Sequence, residues 1–136
     1  MANYKQQFMT YMDRQGIKYT DVSDYVVRVS YSGDNMETIA TYVFFDEDGD
    51  DMVQVACSSI ANFKDSMAAG LVACNTMNAK YRWVKFYLDK DCDLECTIDV
   101  YIDESTCGSE CLRLVKRVVN IVDEAYPIFM KARWSN

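Results

Sequence analysis

Histidine is absent from the 136 residues. That excludes a Ser-His-Asp triad, a histidine general base and a histidine-ligated metal. Proline occurs once and glycine five times, so neither a proline-rich spacer nor a glycine-rich linker interrupts the chain. No apolar run approaches the ~18 residues of a membrane-spanning helix. The start, Met1-Ala2-Asn3-Tyr4-Lys5-Gln6-Gln7, lacks the apolar stretch and cleavage site of a secretory signal. The expected compartment is therefore the cytoplasm, where the six cysteines stay reduced.

Positive charge is also in short supply. Lys and Arg total 14 against 21 Asp and Glu, a net charge of -7. Nucleic-acid binding rests on cations that neutralise phosphates, so no nucleic-acid partner is expected. The one dense basic cluster is Arg113, Lys116 and Arg117. It falls on one side of a helix and reads as a solvated face.

What is present is apolar content: half of the residues are hydrophobic and 26% are charged. That balance is globular. A chain of this length forms one domain spanning residues 1–136 and buries roughly two thirds of its unfolded surface.

Periodicity gives the elements. Tyr4, Phe8, Tyr11 and Met12 form one helical stripe over 3–15, and Gly16 can take the left-handed position that closes it. Val27, Val29 and Tyr31 alternate with Arg28 and Ser30, a strand over 25–31. Ser32-Gly33-Asp34-Asn35 turns into a second strand over 38–45. Asp46-Glu47-Asp48-Gly49-Asp50 turns into a third over 52–57, with the Asp-Gly pair supplying positive φ. These three strands form an antiparallel meander.

From Asn62 the period lengthens. Phe63, Met67, Leu71, Cys74 and Asn78 predict a second helix ending near Lys80, slimmed by Ala68, Ala69, Gly70 and Ala73. Strands follow over 82–88 and 94–101, joined by Asp89-Lys90-Asp91. A last helix starts near Ser105-Thr106 and carries Cys111, Leu114, Val115, Val118, Val122, Ala125 and Phe129. Pro127 is expected to end or kink it near Tyr126. The fold class is α+β in the order α-β-β-β-α-β-β-α. A five-stranded antiparallel sheet has its helices packed mainly on one face.

The segment Leu71-Val72-Ala73-Cys74-Asn75-Thr76-Met77-Asn78-Ala79-Lys80-Tyr81-Arg82-Trp83-Val84-Lys85-Phe86-Tyr87-Leu88-Asp89 resembles the central motif of the YbjN family. That motif sets an Asn-x-x-Asn at a helix end before a strand with an aromatic pair. Asp123 to Ala132 resembles the family's final helix, and the element order matches from about Tyr25 onward. The resemblance implies a fold similar to type III secretion chaperones, which are small, acidic, usually dimeric proteins that bind extended partner segments. It also implies a sensory or regulatory role. No catalytic residue belongs to the motif.

Cys92-x3-Cys96 and Cys107-x3-Cys111 could supply the four thiolates of a zinc site. Small buried hydrophobe is the better reading for Cys57, Cys74 and Cys96, so neither metal nor cofactor is expected. A catalytic cysteine lacks a histidine to activate it. Aligning Gly49 with the calcium-loop glycine puts Phe44 and Val55 at ligand positions, so the acidic turn is a hairpin tip.

Asn75 and Asn78 are poor helix-interior residues. They suit either a bond to the following loop or recognition of a partner backbone. With Val84, Phe86 and Leu88 facing the helices, alternation sends Trp83 and Tyr87 to the opposite face. Tyr101 joins them there, and Tyr42 and Phe44 can too. An apolar patch on an open sheet face needs a partner. The expectation is a non-enzymatic interaction module, a homodimer with a further protein partner, that uses Trp83, Tyr87, Tyr101, Asn75 and Asn78. A metal sensor built on the cysteines is the alternative.

Overall fold

The computed structural model describes residues 3–134. Nine elements follow in chain order: α1 (Tyr4–Gln15), β1 (Thr20–Ser23), β2 (Val26–Tyr31), β3 (Ile39–Phe45), β4 (Met52–Cys57), α2 (Met67–Lys80), β5 (Lys85–Leu88), β6 (Leu94–Tyr101) and α3 (Cys107–Arg133). The strands make one antiparallel sheet in the order β1-β2-β3-β4-β6-β5.

The sheet therefore has six strands where five are expected. The additional strand, β1, has all four residues exposed. It carries no alternation for a sequence reading to detect, and its hairpin register with β2 defines it, Thr20 opposite Arg28. The β5–β6 hairpin adds to the meander through β6, so β6 lies between β4 and β5.

Two local devices match expectation: Gly16 closes α1 at φ 69°, and Gly49 turns the β3–β4 hairpin at φ 74°. At its other end α1 is capped by Asn3, which accepts from the Gln6 amide at 3.0 Å. α2 starts later than its apolar spacing predicts. The Asn62 side-chain amide donates to the Asp91 carbonyl and the Asp93 carboxylate, at 3.0 and 2.9 Å. The Phe63 amide donates to the Cys92 carbonyl at 2.8 Å. These bonds hold 62–63 against the β5–β6 turn, so Phe63 enters the core from a loop. Its ring lies 6.3 Å from that of Phe129.

All three helices pack on one face of the sheet. α3 touches β3, β4 and β6, while α1 and α2 flank it. Between the layers lie Phe8, Met12, Val27, Val29, Val43, Val55, Phe86, Ile98, Val115, Val118 and Phe129, all essentially removed from solvent. Each such aliphatic or aromatic side chain contributes roughly 1.5–3 kcal/mol on burial. No helix among the described residues is long and apolar enough to cross a membrane.

Pro127 does not end the helix near Tyr126: α3 runs on to Arg133. A proline removes the hydrogen bond to the carbonyl four residues back, here that of Asp123. The Asn35 side-chain amide donates to that carbonyl at 3.0 Å. The Asp123 carboxylate in turn accepts from the backbone amides of Asp34, Asn35 and Met36, each at 2.9 Å. Gly33 is required for this approach, because a Cβ there would collide with the Asp123 carboxylate and with Ile39. The β2–β3 loop is thus clamped to the middle of α3.

Candidate functional site: an uncovered sheet face and a tryptophan corner

The face of the sheet away from the helices has no layer over it among the described residues. One row runs Arg28, Tyr42, Ala56, Thr97, Lys85 across five strands. The next carries Val26, Phe44, Gln54 and Asp99. Tyr87 stands opposite Glu95, and Tyr101 opposite Met52. Tyr42 and Phe44 stack with their centroids 6.3 Å apart. The Gln54 amide donates to Asp99 at 3.0 Å, and the Lys85 ammonium lies 5.6 Å from the Tyr87 ring centre.

Ala56 and Thr97 form a small-residue floor between these taller side chains, and both are buried. The Thr97 hydroxyl is buried without a hydrogen-bond partner among the described residues. Phe44 and Tyr87 each keep 38% of their surface exposed, and Tyr101 keeps 76%. Desolvation, and then the carboxylates of Glu95, Asp89 and Asp99, raise the Tyr87 pKa, so its hydroxyl stays protonated. The face is a mosaic of aromatic walls and paired charges around a shallow floor. It has the materials of an interface, and among the described residues it presents no nucleophile–base pair.

Tyr87 and Tyr101 thus lie where alternation predicts, and Trp83 does not. β5 begins at Lys85, and Trp83 sits in the preceding loop with φ 72°. Positive φ breaks the alternation that the expected strand assumes. The Trp83 ring lies instead against Arg117 of α3, with the guanidinium carbon 5.8 Å from its centre. Arg117 Nη2 also donates to the Arg82 carbonyl at 3.3 Å. Trp83 therefore belongs to the helical side of the molecule and not to the sheet face. Trp83 is 76% exposed all the same.

The two asparagines divide. Asn78 accepts from the Phe86 amide at 2.7 Å and donates to the Phe86 carbonyl at 3.0 Å. The side chain acts as a one-residue strand and satisfies the outer edge of β5 at that position. Asn75, one turn earlier, is exposed.

The cysteines do not assemble into one site. Cys57 and Cys96 face each other across β4 and β6, and Cys107 and Cys111 lie one turn apart on α3. Five of the six are buried, Cys92 being partly open. Burial pushes the Cys57 thiol up to about 12 and the Cys74 thiol to about 11. The Cys107 thiol lies 3.4 Å from the Tyr4 carbonyl oxygen, to which it donates. Among the described residues, the group of metal-type side chains close enough to share an ion is Asp89, Asp91 and Asp93. It includes no cysteine. Asp89 already accepts from the amides of Asp91 and Asp93, at 2.9 and 3.0 Å. These carboxylates shape the hairpin turn.

Comparison with known proteins bears on the whole layer arrangement. The crystal structure of YbjN, described as a putative transcription regulator from E. coli, superposes with a TM-score of 0.64 at 11% identity, covering 90% of this chain and 87% of that one. The crystal structure of an uncharacterized protein from Methanothermobacter thermautotrophicus gives 0.62 at 16% identity, covering 94% and 97%. At these identities the likeness is one of fold. No curated protein sequence matches the chain. Residues 6–129 match the family model described as "YbjN: Putative bacterial sensory transduction regulator". With that match spanning both the sheet and the helices that cover it, the chain belongs to the YbjN family.

Proposed function

We propose that this chain is a non-enzymatic regulatory domain that acts by protein contact, pairing with a second copy and seating a partner segment through its uncovered sheet face. One observation carries the reading: all three helices lie on one side of a six-stranded sheet, and the other side presents Phe44, Tyr87 and Tyr101 to solvent. Aromatic residues combine a large apolar body with a polar edge and suit such contacts. The short floor of Ala56 and Thr97 accepts a side chain from across the interface. Family membership supports a regulatory role, and the fold permits many others.

Asn78 is occupied in holding β5 and is left out of this surface. Trp83 belongs to another. Asn75, exposed on α2, lies on the helical side and is left out of the sheet face as well.

The test is solution mass by light scattering over a dilution series under reducing conditions. The expected result is a dimer that persists on dilution. Replacing Tyr87 and Tyr101 together by glutamate should give monomer with an unchanged melting temperature. A wild-type monomer at every concentration overturns self-association. A double variant that melts early assigns those tyrosines to folding.

A further inference from the structure

Trp83 combines three properties that do not favour folding. It is a bulky residue at φ 72°, a left-handed backbone conformation that L side chains rarely adopt. It is 76% exposed. Its one described partner is a guanidinium, which is itself left incompletely bonded. Arg117 gives Nη2 to the Arg82 carbonyl, and its Nε is buried without a hydrogen-bond partner among the described residues. Strain of this kind persists at sites that use it.

The surroundings carry charge opposite to that of the whole chain. Arg113 is one turn before Arg117 on α3, and Lys116 and Arg82 are exposed beside them in sequence. Lys116 and the Arg82 side chain make no ion pair among the described residues, and Arg113 has only a loose 3.9 Å contact with Glu110. A chain of net charge -7 thus concentrates cations around an exposed tryptophan.

We infer that this corner binds a short acidic segment of a partner protein. Carboxylates would take the forked guanidinium of Arg117 and the neighbouring cations, and an apolar residue of the segment would lie on the Trp83 ring. Arginine recognises carboxylates through two parallel N–H bonds, and tryptophan with arginine is the pairing enriched in interface hot spots.

The size of the corner selects the class of partner. Acids bound the cations along α3: Glu110 lies on one side, and on the other Glu124 already engages Lys80 at 3.4 Å. The row from Arg113 to Arg117 spans one helical turn, about 6 Å. Two or three carboxylates fit there. A nucleic-acid strand needs a basic track along several phosphates, and here it would run onto acidic surface. The inference extends the protein-contact reading with a second surface and does not need the sheet face.

The probe is a short peptide alternating glutamate and leucine, titrated into the full chain and followed by proton–nitrogen NMR. The expected result is a saturable shift of the Trp83 indole and the Arg117 side chain, with the Trp134 indole unmoved. The glutamine–leucine counterpart should give no saturable shift. Arg117→Gln should weaken binding at least about tenfold, and Arg117→Lys should restore it only in part.

Trp83→Gly keeps the test independent of folding. Glycine accepts positive φ without strain, so this variant should melt at or above the wild-type temperature and yet lose the peptide. Equal binding by Trp83→Gly overturns the inference, as does an equal response to the glutamine peptide. Tighter binding of a short oligothymidylate to the same residues would replace the protein segment with single-stranded nucleic acid. None of these outcomes depends on whether the chain dimerises.

Discussion

At the scale of single residues, Asp123 ties distant parts of the chain together. Backbone amides of Met36, Asp34 and Asn35 point at its carboxylate and hold its pKa below the usual range. A carboxyl with a depressed folded value adds stability above its unfolded value, near pH 4. That stability drains away as the pH falls through the depressed value. Asp123→Asn should therefore lower stability at neutral pH by on the order of 1–2 kcal/mol, a figure discounted for solvent access. Its melting curve should meet the wild-type curve in acid, where the wild-type carboxyl is protonated. Melting temperature against pH for both proteins checks this; parallel curves would mean the charge is irrelevant to the clamp. Other carboxylates titrate nearby, but they are common to both proteins.

At the scale of elements, the same clamp explains how α3 carries Pro127 to its end at Arg133. The carbonyl that the proline orphans has found the Asn35 amide. Asn35→Ala should thus cost more in the wild-type background than in a Pro127→Ala background, since the alanine would return a backbone amide to that carbonyl. A double-mutant cycle by urea unfolding should give a coupling of about 1 kcal/mol. Additive effects would show that the proline is tolerated for another reason.

Strand and helix patterning was legible wherever one face of an element is buried. β6 and the stripe of α3 needed no structural help. Legibility failed where a side chain obeys a neighbour and not its own period. β1 buries none of its residues. Phe63 fits the apolar spacing of α2 but is held in a loop by bonds to the β5–β6 turn. Trp83 fits an alternating strand until a positive φ turns it toward Arg117. The tyrosines of the sheet face could be placed by parity, but the Trp83–Arg117 contact joins residues that no local pattern relates. A proline four residues after Asp123 was the available hint that something must satisfy an orphaned carbonyl. The sequence names no donor for it.

At the scale of the whole molecule, the cysteines report on the integrity of the two layers. Five of the six are buried in one continuous core that joins sheet and helices. Native protein should therefore release about one thiol equivalent rapidly to a thiol-titrating disulfide reagent, from Cys92. The other five should react only through opening of the core. Denaturant should bring all six into reaction. Rapid labelling of several thiols without denaturant would mean that the layers separate readily in the native state.

α3 also sets the order in which the molecule can be completed. It covers β3, β4 and β6 and contacts both other helices, yet the ribosome delivers it after all of them. Until Cys107 onward has emerged, the inner sides of Val43, Val55 and Ile98 lack the helix that covers them, however well the hairpins have paired. A nascent chain of this sequence therefore passes through a stage rich in bare β surface. Holding factors at the exit tunnel would meet the sheet before its own last helix does.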